Sequence, residues 1–290
     1  AIVTRFAAPI ALCSELCADG SGAGYMRSVS EFSASKPLCR QREGRRRLPR
    51  SRSAHAALAS LCALLFAPAA GAQGVDLAAE TGSYALDARL DEARRVIDGE
   101  LTVSLENRSE RPLTELWWHL YANAFRGPDS LFMRSGGALH RGHASLSRGS
   151  IELTSLALVE GGDDLLPLAE GDRAYPGDRT QLRTPLPRPV APGATVTVRA
   201  RFRTVLPHAS ARMGYAGEYV LAGQWFPKLA RLERDGRFAH FPYHSNAEFY
   251  ADFARYRLTV RVPAGTVVGA TGSLSRPVER AGAYETHTYE

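Results

Sequence analysis

Cysteine is missing from residues 73–290: all four, Cys13, Cys17, Cys39 and Cys62, lie upstream. That excludes a disulfide framework and a thiolate metal site from this stretch. Its about 218 residues must hold together by their core alone, and a chain of that length buries enough surface to do so. Lysine is nearly missing too. Lys228 is the sole lysine after residue 72, which fits the coding bias of a GC-rich bacterial genome. Net charge is absent from the same region. Ten of the 36 Lys and Arg and four of the 30 Asp and Glu precede residue 73, leaving 26 of each. The pI near 9.3 therefore describes the N-terminal part, and the folded part offers no basic footprint for a nucleic-acid partner.

Long apolar runs are lacking as well. Residues 54–69 are apolar around Leu58, Leu61, Leu64, Leu65 and Phe66, but His55, Ser60 and Pro68 interrupt them. The run falls short of the ~20 residues that a membrane span requires. Arg45, Arg46, Arg47, Arg50 and Arg52 precede it, and Ala70, Gly71 and Ala72 follow it. A basic segment, an apolar segment and a small-residue cleavage site read as a secretory leader over 45–72, which implies export to the periplasm or medium. Cys62 follows Leu61, where a lipidation signal wants a small residue. Residues 1–44 are expected to be a disordered or mis-started extension. The closing segment, Tyr284 to Glu290, alternates like a strand whose backbone groups need partners, so the chain reads as a fragment cut at its C-terminus.

From residue 73 on, no stretch sustains a 3.6-residue apolar period. Period two dominates instead. Tyr84, Leu86, Ala88 and Leu90 alternate with polar or small neighbours, as do Leu101, Val103 and Leu105, then Val196, Val198, Ala200 and Phe202, then Leu258, Val260 and Val262. Each is a strand with one wet face. Turns are expected at Asp98-Gly99, Asn107 to Ser109, Ala191 to Gly193 and Pro263 to Gly265. Residues 125–150 and 205–218 read as long irregular loops, which in compact domains are usually functional. The sum is an all-β domain over 73–290, a two-sheet, mainly antiparallel β-sandwich.

Catalytic motifs are the last absence. There is no His-Glu-x-x-His, no Gly-x-Ser-x-Gly and no glycine-rich phosphate loop, so no catalytic residue is assigned. His140 and His143 sit in a Gly/Ser/Arg-rich loop without an acidic partner and read as solvated. His240, His244 and Glu248 are four apart, but Pro242 forbids the helix that would align them. No metal ligand is assigned. In 116–121, Leu116, Trp118 and Leu120 share one strand face, and Trp117, His119 and Tyr121 share the other. This suits a strand packed on both sides, with a sugar-binding aromatic platform as the alternative. Polar and aromatic residues bunch at Gln224, Trp225, His244, Asn246 and Glu248, and such bunching at strand ends marks recognition.

The order of these features resembles the N-terminal β-domain of the aminopeptidase N family, the gluzincin zinc metallopeptidases. The likeness runs over about 82–290. It rests on the opening strand 84–91, on Ile97 to Val103, on the Leu113 to Asn123 segment, and on Phe241-Pro242 followed by Asn246-Ala247-Glu248-Phe249 and a strand closing at Val262-Pro263. It departs from the main branch at Ser245 to Glu248, where the family's proline is missing, and is closer to a divergent bacterial branch carrying Gln-Trp-Phe-Pro. The resemblance implies a saddle-like β-domain forming one wall of a peptide cleft, with zinc held by a catalytic domain outside this chain. It also implies that Gln224 accepts the substrate's free amine, since an amide oxygen takes a hydrogen bond from an ammonium group without neutralising it. The alternative is that Gln224 caps the turn before Trp225. At the level of the whole protein, the alternatives are a non-catalytic binding or adhesion module, or a peptidase-like protein without activity.

Overall fold

The structure, a computed structural model, describes residues 2–6, 81–136, 148–208, 212–247 and 249–290. They belong to one compact unit spanning 1–10 and 78–290. The expected leader, 45–72, and the His140/His143 pair lie outside the described residues.

The strands, in chain order, are β1 (Ile2–Phe6), β2 (Gly82–Asp91), β3 (Val96–Glu106), β4 (Leu113–His119), β5 (Ser150–Leu158), β6 (Glu170–Gly171), β7 (Gln181–Val190), β8 (Thr195–Val205) and β9 (Met213–Ala216). They continue with β10 (Tyr219–Ala222), β11 (Lys228–Leu229), β12 (Arg231–Leu232), β13 (Phe238–Ala239), β14 (Ala254–Pro263), β15 (Thr266–Ala270), β16 (Glu279–Ala281) and β17 (Tyr284–Tyr289). Among the described residues a short α-helix, α1 (Leu131–Arg134), is capped by the Ser130 side chain, and Tyr121–Phe125 and Leu166–Leu168 form 3-10 turns. A seven-stranded sheet runs β16-β17-β14-β2-β3-β8-β5, and a four-stranded sheet runs β11-β4-β7-β6. A second four-stranded sheet runs β15-β1-β10-β9, and β12 pairs β13. Among the described strands, all ladder pairings are antiparallel except β14 with β2. This is the expected all-β, sandwich-like architecture.

Alternation does the sorting. Along β2, Tyr84, Leu86, Ala88 and Leu90 are buried while the residues between them are exposed, and β8 behaves likewise at Val196, Val198, Ala200 and Phe202. These rows join Leu116 and Trp118 of β4 in one apolar core. The wet face of the large sheet carries cross-strand ion pairs, Arg201 on Glu100 and Arg203 on Asp98. Exposed pairs of this kind contribute little stability.

Two expectations are corrected. Asp98 and Gly99 lie inside β3; the turn before it is 92–95, where Arg95 takes φ 57°. Gly99 is there for space, because a Cβ would sit 2.4 Å from the Phe202 ring on the neighbouring strand, and strand glycines often mark such close approaches. The stretch 205–218, read as irregular, contains β9, which forms a hairpin with β10. Ile2–Phe6 forms β1 and pairs on both sides.

Candidate functional site around Gln224

Gln224 lies between β10 and β11, where the chain leaves one sheet for another. Its backbone is left-handed at φ 54°, a region that costs a side-chain-bearing residue roughly 1–2 kcal/mol. Two neighbours impose it. Gly223 passes so close to the Arg212 carbonyl that a Cβ would stand 2.3 Å from the oxygen. Trp225 is buried at 2 % exposure, packs on Phe202 and Phe226, and accepts a hydrogen bond at its carbonyl from Thr204 Oγ1 (2.6 Å). The half-buried Gln224 is held between these fixed points, and its Oε1 is buried with no donor. An amide oxygen that caps nothing does not fit the turn-capping alternative. An orphaned buried acceptor costs about 1–3 kcal/mol, so the position carries two local penalties, and such sites cluster where chains do chemistry or binding.

The other described members of the expected cluster make no hydrogen bond with Gln224 Oε1. Trp225 is core. Ser245 bonds Ser135, at the end of α1, through both its amide (2.9 Å) and its hydroxyl (2.6 Å). That pins its neighbours His244 and Asn246, whose own bond is local, from the Asn246 amide to His244 Nδ1 (3.3 Å). Glu248 lies outside the described residues. His240 stacks on Trp117 with centroids 3.5 Å apart and shares a hydrogen bond with Asp172 Oδ2 (3.2 Å). The both-sides packing of β4 is observed: Leu116, Trp117, Trp118 and His119 are all buried.

Sequence reasoning gave no role to His119 and Lys228, which face each other across β4 and β11. His119 is fully buried, stacks on Tyr121, and its Nδ1 lies 2.8 Å from Gln181 Nε2. Burial first, then the nearby Lys228 and His240, push its pKa down to about 3, keeping the ring neutral. Lys228 rests over the rings of Phe226 (5.2 Å) and Tyr256 (5.8 Å), and burial lowers its pKa to about 8. The signal for it was its rarity: one lysine among arginines, at a half-buried position where arginine would stay charged.

Lys228 makes stability depend on pH. Its folded pKa of about 8 lies below the ordinary 10.5, so the unfolded chain binds the proton more tightly. The contribution is complete above the ordinary value and is lost as pH falls through 8. Urea midpoints should therefore rise for the wild type relative to Lys228→Met between pH 8 and 10. A constant difference would show an amine that titrates normally.

No three His, Cys, Asp or Glu come together as a metal-holding group among the described residues. These residues do not fit a zinc ion, and no step through zinc is derived for them. A cavity of about 490 Å³ bordered by Asn123, Ile151, Asp178 and Gln181 lies elsewhere and does not include Gln224.

No protein-family model matches the chain, and no curated protein does either. Among solved structures, a mutant M1 zinc metallopeptidase from Deinococcus radiodurans is 13% identical over 72% of this chain and 38% of its own, at a TM-score of 0.41. The same mutant bound to a Tyr-Ser-Ala substrate gives 14% identity, 72% and 38% coverage, and 0.41. A two-domain M1 zinc metallopeptidase mutant bound to L-arginine gives 15% identity, 73% and 40% coverage, and 0.42. The chain thus spans about two-fifths of the length of these structures. A likeness of this size concerns the course of the strands only.

Proposed function

We propose that this chain is the N-terminal β-domain of an exported, zinc-dependent aminopeptidase-like metallopeptidase, that it forms one wall of the substrate cleft, and that Gln224 receives the free amine of the peptide. One observation carries the reading: the Gln224 amide oxygen is an orphaned acceptor, held in place by a left-handed backbone between two immovable neighbours. The sequence resemblance supplies the ligand class, a peptide N-terminus. Zinc would be held by residues beyond this domain. The domain's own part is to bind and orient, with Oε1 accepting one N–H of the ammonium group.

The test uses the longer protein encoded with this domain, assayed on amino-acid amides. Gln224→Ala should lower kcat/KM at least tenfold on substrates with a free amine, about 1.4 kcal/mol, and leave the weak turnover of N-acetylated substrates alone. An equal effect on both, or none, would remove Gln224 from amine recognition. Export makes a separate prediction: the secreted protein should begin at Gln73, which N-terminal sequencing checks.

A further inference from the structure

The strand β1 is joined to its sheet by backbone pairing on both edges. It lies between β10 and β15 and is antiparallel to both: Ile2 faces Ala222 and Ala270, Val3 faces Leu221 and Gly269, Thr4 faces Val220 and Val268, and Arg5 faces Tyr219 and Val267. No direct pairing joins β10 to β15. Neighbouring strands stand about 4.8 Å apart, so the two walls are separated by roughly twice that, one strand's width. The next strand of this sheet in sequence is β9 at Met213, so β1 is far in sequence from both of its partners.

We propose that the gap between β10 and β15 is a strand-acceptor site, that its ligand is an extended peptide pairing antiparallel with both walls, and that β1 is its tethered occupant. The walls define what fits. At the Ile2 register, the flanking residues are alanines, one fully buried at Ala222, which leaves room for a bulky aliphatic side chain. At the Thr4 register stand buried Val220 and half-buried Val268, which favour a β-branched residue. At the Arg5 register stand Tyr219 and Val267, which are 41% and 62% exposed although large and apolar. A long side chain with a charged tip covers such a pair while its end stays in water. The resulting ligand class presents an aliphatic and a β-branched residue on one face and a long cationic residue on the other, and main-chain bonds to two edges supply affinity as in strand-addition recognition. If the export reading holds and the chain is cut after Ala72, β1 leaves with the leader and the acceptor opens to a strand from another molecule. The site itself does not depend on that cleavage.

The experiment uses the full, uncleaved chain. In an antiparallel ladder, successive residues turn their amides to opposite neighbours, so Val3→Pro with Thr4→Pro removes one donor from each wall. In this double variant, amide exchange at residues 219–222 and 266–270 should quicken at least tenfold while Leu101 and Val103 of β3 stay protected. A blocked peptide of sequence Ile-Val-Thr-Arg-Phe, added at millimolar concentration, should restore the protection. The same peptide with proline at its second and third positions should not. Unchanged exchange in the variant would show walls closed without β1, and exchange that the peptide fails to slow would show a gap that accepts no strand in trans. Either result overturns the proposal.

Discussion

Asn107→Asp should destabilise the domain by about 4 kcal/mol, read as a fall in the urea midpoint at constant slope. Asn107 is fully buried at the end of β3, and all four of its side-chain hydrogen-bonding positions are used. Nδ2 donates to the carbonyls of Arg111 (2.9 Å) and Val190 (2.8 Å), while Oδ1 accepts from the Ser109 amide (3.1 Å) and hydroxyl (2.6 Å). Its backbone adds a bond to Ala194 and one from Gly193. One side chain thereby ties the end of β3, the approach to β4 and the β7–β8 turn, which belong to both larger sheets. An aspartate keeps the shape and loses both donors, leaving a buried carboxylate facing two carbonyl oxygens. Asn107→Ala leaves the same carbonyls unpaired without the charge and should cost nearer 3 kcal/mol. Should the two variants prove equally mild, near 1 kcal/mol, water would be reaching the site and the tie between sheets would be loose.

Asn107 also shows where the sequence stops being legible. Asn-Arg-Ser reads as turn chemistry, and the turn is there. Nothing in the string separates an asparagine that bonds its own loop from one that bonds Val190, eighty-three residues away. Period two placed β2, β3, β8 and β14 because alternation is a local property. The parallel pairing of β14 with β2 is not local, and no turn announces it. Asp98-Gly99 misled because glycine has two uses: it permits a turn, and it clears space for a neighbour, here the Phe202 ring. The same ambiguity governs the site. Gln224 was singled out by its place in Gln-Trp-Phe-Pro. What the sequence did not carry was the left-handed φ and the orphaned oxygen. His244 and Asn246 were grouped with it by residue type, and what the sequence did not carry is that Ser245 between them bonds the end of α1.

Gln224→Gly separates the fold from the proposed function with one substitution. If Gln224 served the turn, glycine would destabilise it by removing side-chain contacts and freeing the unfolded chain, at about 1 kcal/mol. The backbone at φ 54° and the donorless Oε1 argue the other way. Glycine takes this conformation without strain and removes the unpaired oxygen, so the domain should gain about 1 kcal/mol or at worst be unchanged. Activity should move oppositely. In the longer protein, losing the acceptor for the substrate's amine should cost about a hundredfold in kcat/KM on free-amine peptides, equivalent to about 2.7 kcal/mol, since an ammonium buried without its acceptor loses a charge-assisted bond. Gln224→Glu discriminates further: it keeps an acceptor and adds charge, so it should retain binding of the amine while paying desolvation in a half-buried site. A glycine variant less stable than wild type, with activity falling only in step with folded protein, would make Gln224 a structural residue. A variant more stable and a hundredfold less active would leave a single explanation for the strain: the backbone holds this amide oxygen in place for a ligand that the domain itself does not supply.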